Sequence, residues 1–191
     1  PLPRPTGCGS ATGQGRVADY IHLTWEAHTI PTEVPIEFVD HNNQCRINRR
    51  EIRAHTDSFR AALRAALRED PDIVLVGEMR DLETVAIAIE TAETGHLVFG
   101  TIHASSAPST IGRILDLFPR EMHPALRSSM GFNLKAIVAQ KLLPTIVDKP
   151  KRVPSIEVMI MNGTIRKMIN EEKDEKLFDA IRIGKDDGMQ I

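Results

Sequence analysis

The sequence predicts an α/β chain built on a mainly parallel sheet flanked by helices, and three observations predict it. Ile73, Val74, Leu75 and Val76 form a continuous apolar run, as a strand buried on both faces does, and the run ends in Gly77, Glu78, Met79 and Arg80. Val85, Ala88, Ile89 and Ala92 then recur at helical spacing between Asp81, a helix N-cap, and Gly95, a helix stop. A second apolar strand, Leu97 to Ile102, follows at once. Strand, helix and strand joined by short connections are what a parallel sheet produces, with a right-handed crossover.

The remaining elements follow in order. Residues 1 to 16 are rich in Pro, Gly, Thr and Ser, with no strand ahead of them. Val17 to Trp25 reads as a short helix, and Ile36 to Val39 as a strand after Pro35, closed by a polar turn at Asp40 to Gln44. Asp57 caps a helix to about Arg68, with Phe59, Ala62, Leu63, Ala66 and Leu67 as its apolar stripe. Pro71 ends it, because the residue before a proline is biased away from helix. Pro119 breaks the α/β alternation. A long helix from about Pro124 to Leu142, a β segment around Ile156 to Met161 and two short charged helices complete the chain. The expected division is a core over residues 1–146, truncated at its amino terminus, and a C-terminal strand and helices over 147–191 that continue the same domain.

Composition narrows the function. With 191 residues and 41 % hydrophobic content the chain can bury a core within one domain. Its 24 basic and 26 acidic side chains leave a net charge of −2, so no bulk field draws it to nucleic acid or acidic lipid. Cys8 and Cys45 are too few for a disulfide framework or a zinc site, which fits a reducing cytosol. No apolar run approaches the roughly 18 residues of a membrane span, and the start has no signal-peptide core.

Glu78 is placed at a strand's carboxyl end, the edge along which open α/β sheets bind ligands. A carboxylate there can orient a water for attack on a terminal phosphate. The segments ALREDPD, VGEMRDLET and TAETGHLVFGTIH, within Ala66 to His103, resemble nearly residue for residue the Walker B and His-box region of the type IV pilus retraction ATPases. Those enzymes, which power twitching motility, lie within the wider type II/IV secretion ATPase family. PIEFV at Pro35 to Val39 is similar to the end of that family's Asp box, and AIRIGKDDGMQ to its retraction-linked helix motif.

The resemblance implies a RecA-like P-loop NTPase core with a small C-terminal helical part, using ATP and Mg. It implies a homo-hexamer or a ring with a paralogue, seated in the cytoplasm on an inner-membrane platform protein of a pilus or secretion machine. Neither nucleic-acid binding nor direct membrane insertion is implied. Residue by residue, Glu78 matches the catalytic glutamate, and Gly77 stands where many P-loop ATPases place a magnesium-binding Asp. Glu33 matches an Asp-box acid assigned to magnesium and water, and His96 and His103 match the γ-phosphate-sensing His box. Arg50 and Arg80 are candidates for contact with nucleotide or a neighbouring subunit, because a guanidinium stabilises phosphoryl charge bidentately.

Counting back from Asp19, Tyr20 and Pro35 places the phosphate loop at Arg4 to Ala11, which reads RPTGCGSA where G-x-x-x-x-G-K-[ST] is required. Thr6, Gly7, Cys8, Gly9, Ser10, Ala11 and Thr12 are the candidate cradle. Gly7 and Gly9 leave backbone amides for an anion, but Ser10 stands for the lysine and Ala11 for the magnesium-binding hydroxyl, with Thr12 one place late. Val34 replaces a second acid, and Ala54 and His55 an Arg-Asp pair. The chain begins at the loop itself, so a fragment or a degraded copy is expected.

Blander readings compete at several positions. His96 is as well explained as a histidine satisfied by hydrogen bonds in the fold, whereas His103 leans to function by its strand-end position. His22, His28, His41, His55 and His123 read as ordinary surface residues. Arg46, Arg49, Arg50 and Arg53 lack interleaved aromatic side chains, so a solvated strand edge or subunit contact is favoured over nucleic acid. Glu171 to Lys176 reads as a solvated helix face, and Met159, Met161 and Met168 as packing.

Two functions remain. One is a RecA-like subunit in which Glu78 polarises water and His103 passes the change to its neighbours. The other is a non-enzymatic descendant that keeps fold and assembly surface, and the altered loop favours it for the isolated chain. Losing the lysine leaves phosphate charge uncompensated, a cost on the order of several kcal/mol.

Overall fold

Parallel pairing organises the first half of the chain. The computed structural model describes the backbone of His28–Glu33, Arg46–Ile47 and Arg50–Glu51, and all of residues 71–146 and 152–191. The expected helices over 17–25 and 57–68 and the strand over 36–39 lie outside the described residues. The chain divides into two units, Ala11–Ile102 and a second that includes His103–Ile191.

In the first unit β1 (His28–Glu33), β4 (Ile73–Glu78) and β5 (Leu97–Thr101) lie side by side, all parallel. On the other side of β1, β2 (Arg46–Ile47) and β3 (Arg50–Glu51) pair with it in turn, also parallel. The apolar run behaves as its composition requires: Ile73, Val74, Leu75 and Val76 are all buried. Helix α1 (Leu82–Glu93) connects β4 to β5. Its Asp81 N-cap accepts the Thr84 amide at 2.8 Å, and Gly95 beyond its end adopts φ +99°, where a side chain would be strained. Ile87 and Ala88 of α1 close over Val74 and Val76, with Met79 and Val98 packed at the margin. On the opposite face Ile73 meets Leu97 and Phe99.

The second unit is a β-hairpin with helices. Helix α2 (Ala107–Leu115) is followed by a 3₁₀ turn at Arg120–Met122, α3 (His123–Asn133), strands β6 (Ala136–Pro144) and β7 (Arg152–Ile160), and helices α4 (Gly163–Asn170) and α5 (Leu177–Ile183). β6 and β7 pair antiparallel from Ala136↔Ile160 to Pro144↔Arg152. The expected boundary at 146/147 falls in the connection between these two strands. The far edge of β7 takes an antiparallel bridge from the tail, Val158↔Gln190, and the Gln190 side-chain amide donates to the Ile156 carbonyl at 3.0 Å. Ile111, Met159, Ile165, Ile169, Leu177 and Ile181 are fully buried.

Two expectations are corrected here. The helix expected from Pro124 to Leu142 stops at Asn133, Leu134 turns extended, and 136–144 is a strand. Leu, Ala, Gln and Lys favour a helix locally, but pairing with β7 overrides that preference, as tertiary context commonly does. The run Glu171 to Lys176 is not a helix face: it is the turn after α4 and a 3₁₀ turn at Asp174–Lys176. Within it Asp174 accepts both guanidinium nitrogens of Arg127, at 2.8 and 2.7 Å, while Arg127 also caps the Ile169 carbonyl at 2.9 Å. His123 is half-buried, its Nε2 3.1 Å from the Phe118 carbonyl. Met159 and Met161 are buried packing residues. Among the described residues no helix is long and apolar enough to cross a membrane.

Candidate functional site

Parallel strands deliver all their carboxyl ends to one edge, and that edge carries the candidate acids. Glu78 is the last residue of β4 and Glu33 the last of β1, its neighbour, with Thr32 in register with Val76. Arg50 starts β3 in register with Thr32, so its backbone reaches the same edge on the far side of β1. The sheet therefore assembles Glu33, Glu78 and Arg50 from three segments distant in sequence.

A β-bulge decides which way Glu78 faces. Val76 pairs with Gly100, but Glu78 pairs with Thr101, so Gly77 is an extra residue in β4. Regular alternation would place Glu78 on the face of Val74 and Val76, under α1. The extra residue shifts the parity: Met79 joins Val74 and Val76 against α1, and Glu78 turns to the opposite face. Met79 is anchored there by its amide, which donates to the Thr101 carbonyl at 2.8 Å.

Glu78 is partly enclosed, its side chain 27 % exposed, and one of its carboxylate oxygens, Oε2, accepts a hydrogen bond from Nη2 of Arg80. The pairing raises the affinity of the Arg80 guanidinium for its proton further. Arg80, read from the sequence as a contact for nucleotide or a neighbour, is thus turned back on the candidate catalytic acid.

The two His-box candidates stand at opposite ends of β5. His96 precedes β5, at the amino edge of the sheet, a strand's length of roughly 15–20 Å from the Glu78 edge. Its Nδ1 lies 2.9 Å from Thr94 Oγ1 and 3.2 Å from the Thr91 carbonyl. A carbonyl only accepts, which assigns the proton to Nδ1 and makes His96 a fastener between the end of α1 and the start of β5. His103 follows β5 by two residues, is exposed, and opens the second unit. Thr6, Gly7, Cys8, Gly9, Ser10, Ala11 and Thr12 lie outside the described residues.

Sequence reasoning missed what two glycines do in this region. Gly77 forms the bulge and Gly100 makes room for Met79, and both depend on a register no local pattern encodes. In the second unit it also missed Glu157 of β7, whose Oε1 accepts the Ala107 amide at 3.2 Å. With Ser106 and Ser109 forming a reciprocal capping box, the first free amides of α2 are then satisfied.

Comparison with known proteins gives a consistent result. The family described as type II/IV secretion system protein matches residues 4–184. The type IV pilus retraction ATPase PilT of Pseudomonas aeruginosa is 46 % identical over 186 residues, which cover 97 % of this chain and 54 % of that protein. A twitching motility protein of Neisseria gonorrhoeae is 45 % identical over 186 residues, 97 % of this chain and 50 % of that protein. Among solved structures, the pilus retraction motor PilT with bound ADP superposes with a TM-score of 0.87 at 46 % identity, over 94 % of this chain and 52 % of that one. The Legionella pneumophila ATPase DotB follows with a TM-score of 0.82 at 28 % identity, over 97 % of this chain and 51 % of that one. The chain spans about half the length of these relatives.

Proposed function

The chain belongs to the type II/IV secretion system protein family, with the RecA-like α/β fold of its ATPases, and on that premise we propose that it is the hydrolytic half of a pilus-retraction motor subunit. The observation that carries this reading is Glu78, delivered to the carboxyl edge of a parallel sheet beside Glu33 and turned by a bulge away from the α1 face.

The donor set at that edge fits magnesium and a nucleotide: magnesium is usually held by one or two carboxylates together with phosphates, not by an all-protein cage. Glu33 is the residue that would hold it. Magnesium-bound ATP supplies the phosphoryl group and neutralises its charge when bound. Glu78 accepts a hydrogen bond from a water through its carboxylate and orients that water in line with the phosphoryl group. His103, two residues beyond β5, transmits the change toward neighbours in a homo-hexameric or mixed ring. The ring acts in the cytoplasm, against an inner-membrane platform protein of a pilus or secretion machine.

A second reading is favoured by Ser10 and Ala11, which supply neither the ammonium nor the hydroxyl expected at a phosphate loop. On that reading the chain is an assembly module with weak nucleotide affinity.

A titration with fluorescent ATP and magnesium separates the two, run on the unmodified chain and on a Ser10→Lys, Ala11→Ser variant. On the first reading the unmodified chain binds at micromolar strength and turns over, and Glu78→Gln retains binding and loses turnover. On the second, binding and turnover appear only in the Ser10→Lys, Ala11→Ser variant. Micromolar binding and turnover by the unmodified chain would sink the second reading. A restored variant that neither binds nor turns over would sink the first.

A further inference from the structure

Four consecutive residues after the bulge are held by alternate anchors. Met79 is fixed by its amide bond to Thr101 and by packing against the Val74, Val76, Ile87 and Ala88 cluster. Asp81 is fixed by its bond to the Thr84 amide at the start of α1. Glu78 and Arg80 occupy the alternate positions, and in extended backbone residues two apart share a face. Their side chains meet, Arg80 Nη2 donating to Glu78 Oε2. Arg80 is 74 % exposed, so the pair is open to solvent on the guanidinium side.

We propose that Arg80 is a positioning residue for Glu78: its guanidinium holds one carboxylate oxygen, and through it the orientation in which the carboxylate meets a water. The inference rests on the reading of Glu78 as the water-orienting acid, and it gives Arg80 a role within its own subunit, not on the nucleotide or on a neighbour. A solvent-screened pair of this kind adds little to stability. Its contribution is geometric, and geometry matters because a misplacement of about 1 Å at a reacting group costs on the order of 100-fold in rate.

Two arms test it. In the first, the Glu78 side-chain carboxyl is followed by carbon NMR during an acid titration of the full chain, unmodified and with Arg80→Ala or Arg80→Lys. The midpoint should rise in Arg80→Ala and return part of the way in Arg80→Lys, with the denaturant unfolding midpoint unchanged throughout. An unmoved Glu78 midpoint, or a lowered unfolding midpoint, overturns the proposal.

The second arm measures turnover in the Ser10→Lys, Ala11→Ser background. Arg80→Ala should lower kcat by roughly 10- to 100-fold at unchanged KM. It should add nothing to a Glu78→Gln variant. A rise in KM at unchanged kcat would place Arg80 on the nucleotide and overturn the proposal. If that background shows no turnover at all, the functional reading falls by itself, and the titration alone decides the Arg80 pairing.

Discussion

The Met79 side chain lies across Gly100: a Cβ at position 100 would stand 2.7 Å from Met79 Cε and 2.8 Å from its Sδ. The contact joins β4 to β5 beyond the bulge, and it accounts for a glycine inside an otherwise apolar strand. Gly100→Ala meets only the flexible end of the Met79 side chain, so the expected cost is small, no more than about 1 kcal/mol. Met79→Ala in the same chain should remove most of that added cost. Urea unfolding of the two single variants and the double variant measures the coupling.

Glu172 follows α4 with φ 58°, the only non-glycine at positive φ among the described residues. The Lys173 amide returns to the Met168 carbonyl and the Glu172 amide to Ile169, so this is a helix terminus that favours glycine. Glu172→Gly is expected to stabilise the chain by about 0.5–1 kcal/mol, whereas Glu172→Val should destabilise it. Thermal unfolding of both variants gives the sign.

Arg127 and Asp174 form a two-point ion pair between α3 and the turn after α4, with Arg127 only 11 % exposed at its side chain. Asp174→Ala leaves that guanidinium without its partner and should cost about 2–3 kcal/mol. Asp174 is itself 31 % exposed, so water takes up part of the loss and the cost stays at the lower end for a buried pair. Arg127→Met, which removes the charge as well, should be milder than Asp174→Ala. Guanidinium unfolding midpoints of the two variants test the order.

Glu171 sits below the usual carboxylate range because Lys173 donates to it at 2.5 Å, with further help from Lys167 and Lys176. A carboxylate whose folded value is lowered contributes stability that is fully present above its unfolded value, near 4.5, and disappears as pH falls through the lower folded value. Acidification below about pH 4.5 should therefore weaken the folded state slightly through this group. Glu171→Gln should flatten that part of the pH profile, and added salt should reduce it in the unmodified chain.

Legibility followed the range of the interactions. β4, α1 and β5 were readable because their signals are local: a continuous apolar run, Asp81 before the helix and Gly95 after it. β6 was not, since Asn133 and Leu134 carry no strong stop signal and the strand is specified by a partner across the hairpin connection. At the candidate site the position of Glu78 was legible, but its facing was not. That depends on Gly77 being unpaired, which is a property of two strands in register. The contact of Arg80 with Glu78 was not legible either: it forms where Met79 and Asp81 are tied to other elements. The Asp81 cap was legible, but the tie of Met79 to Thr101 runs to another strand and was not.

The bridge at Gln190 also bears on the open edge of the hairpin. A strand margin with free acceptors is a template for uncontrolled self-association, and hairpins with apolar side chains in the open, such as Val153 and Ile156, are prone to it. By laying its own backbone on Val158 and its side-chain amide on the Ile156 carbonyl, Gln190 fills two of the places where an intruding strand would begin to zip. Gln190 thus covers part of the open edge of β7 with its own backbone and its side-chain amide.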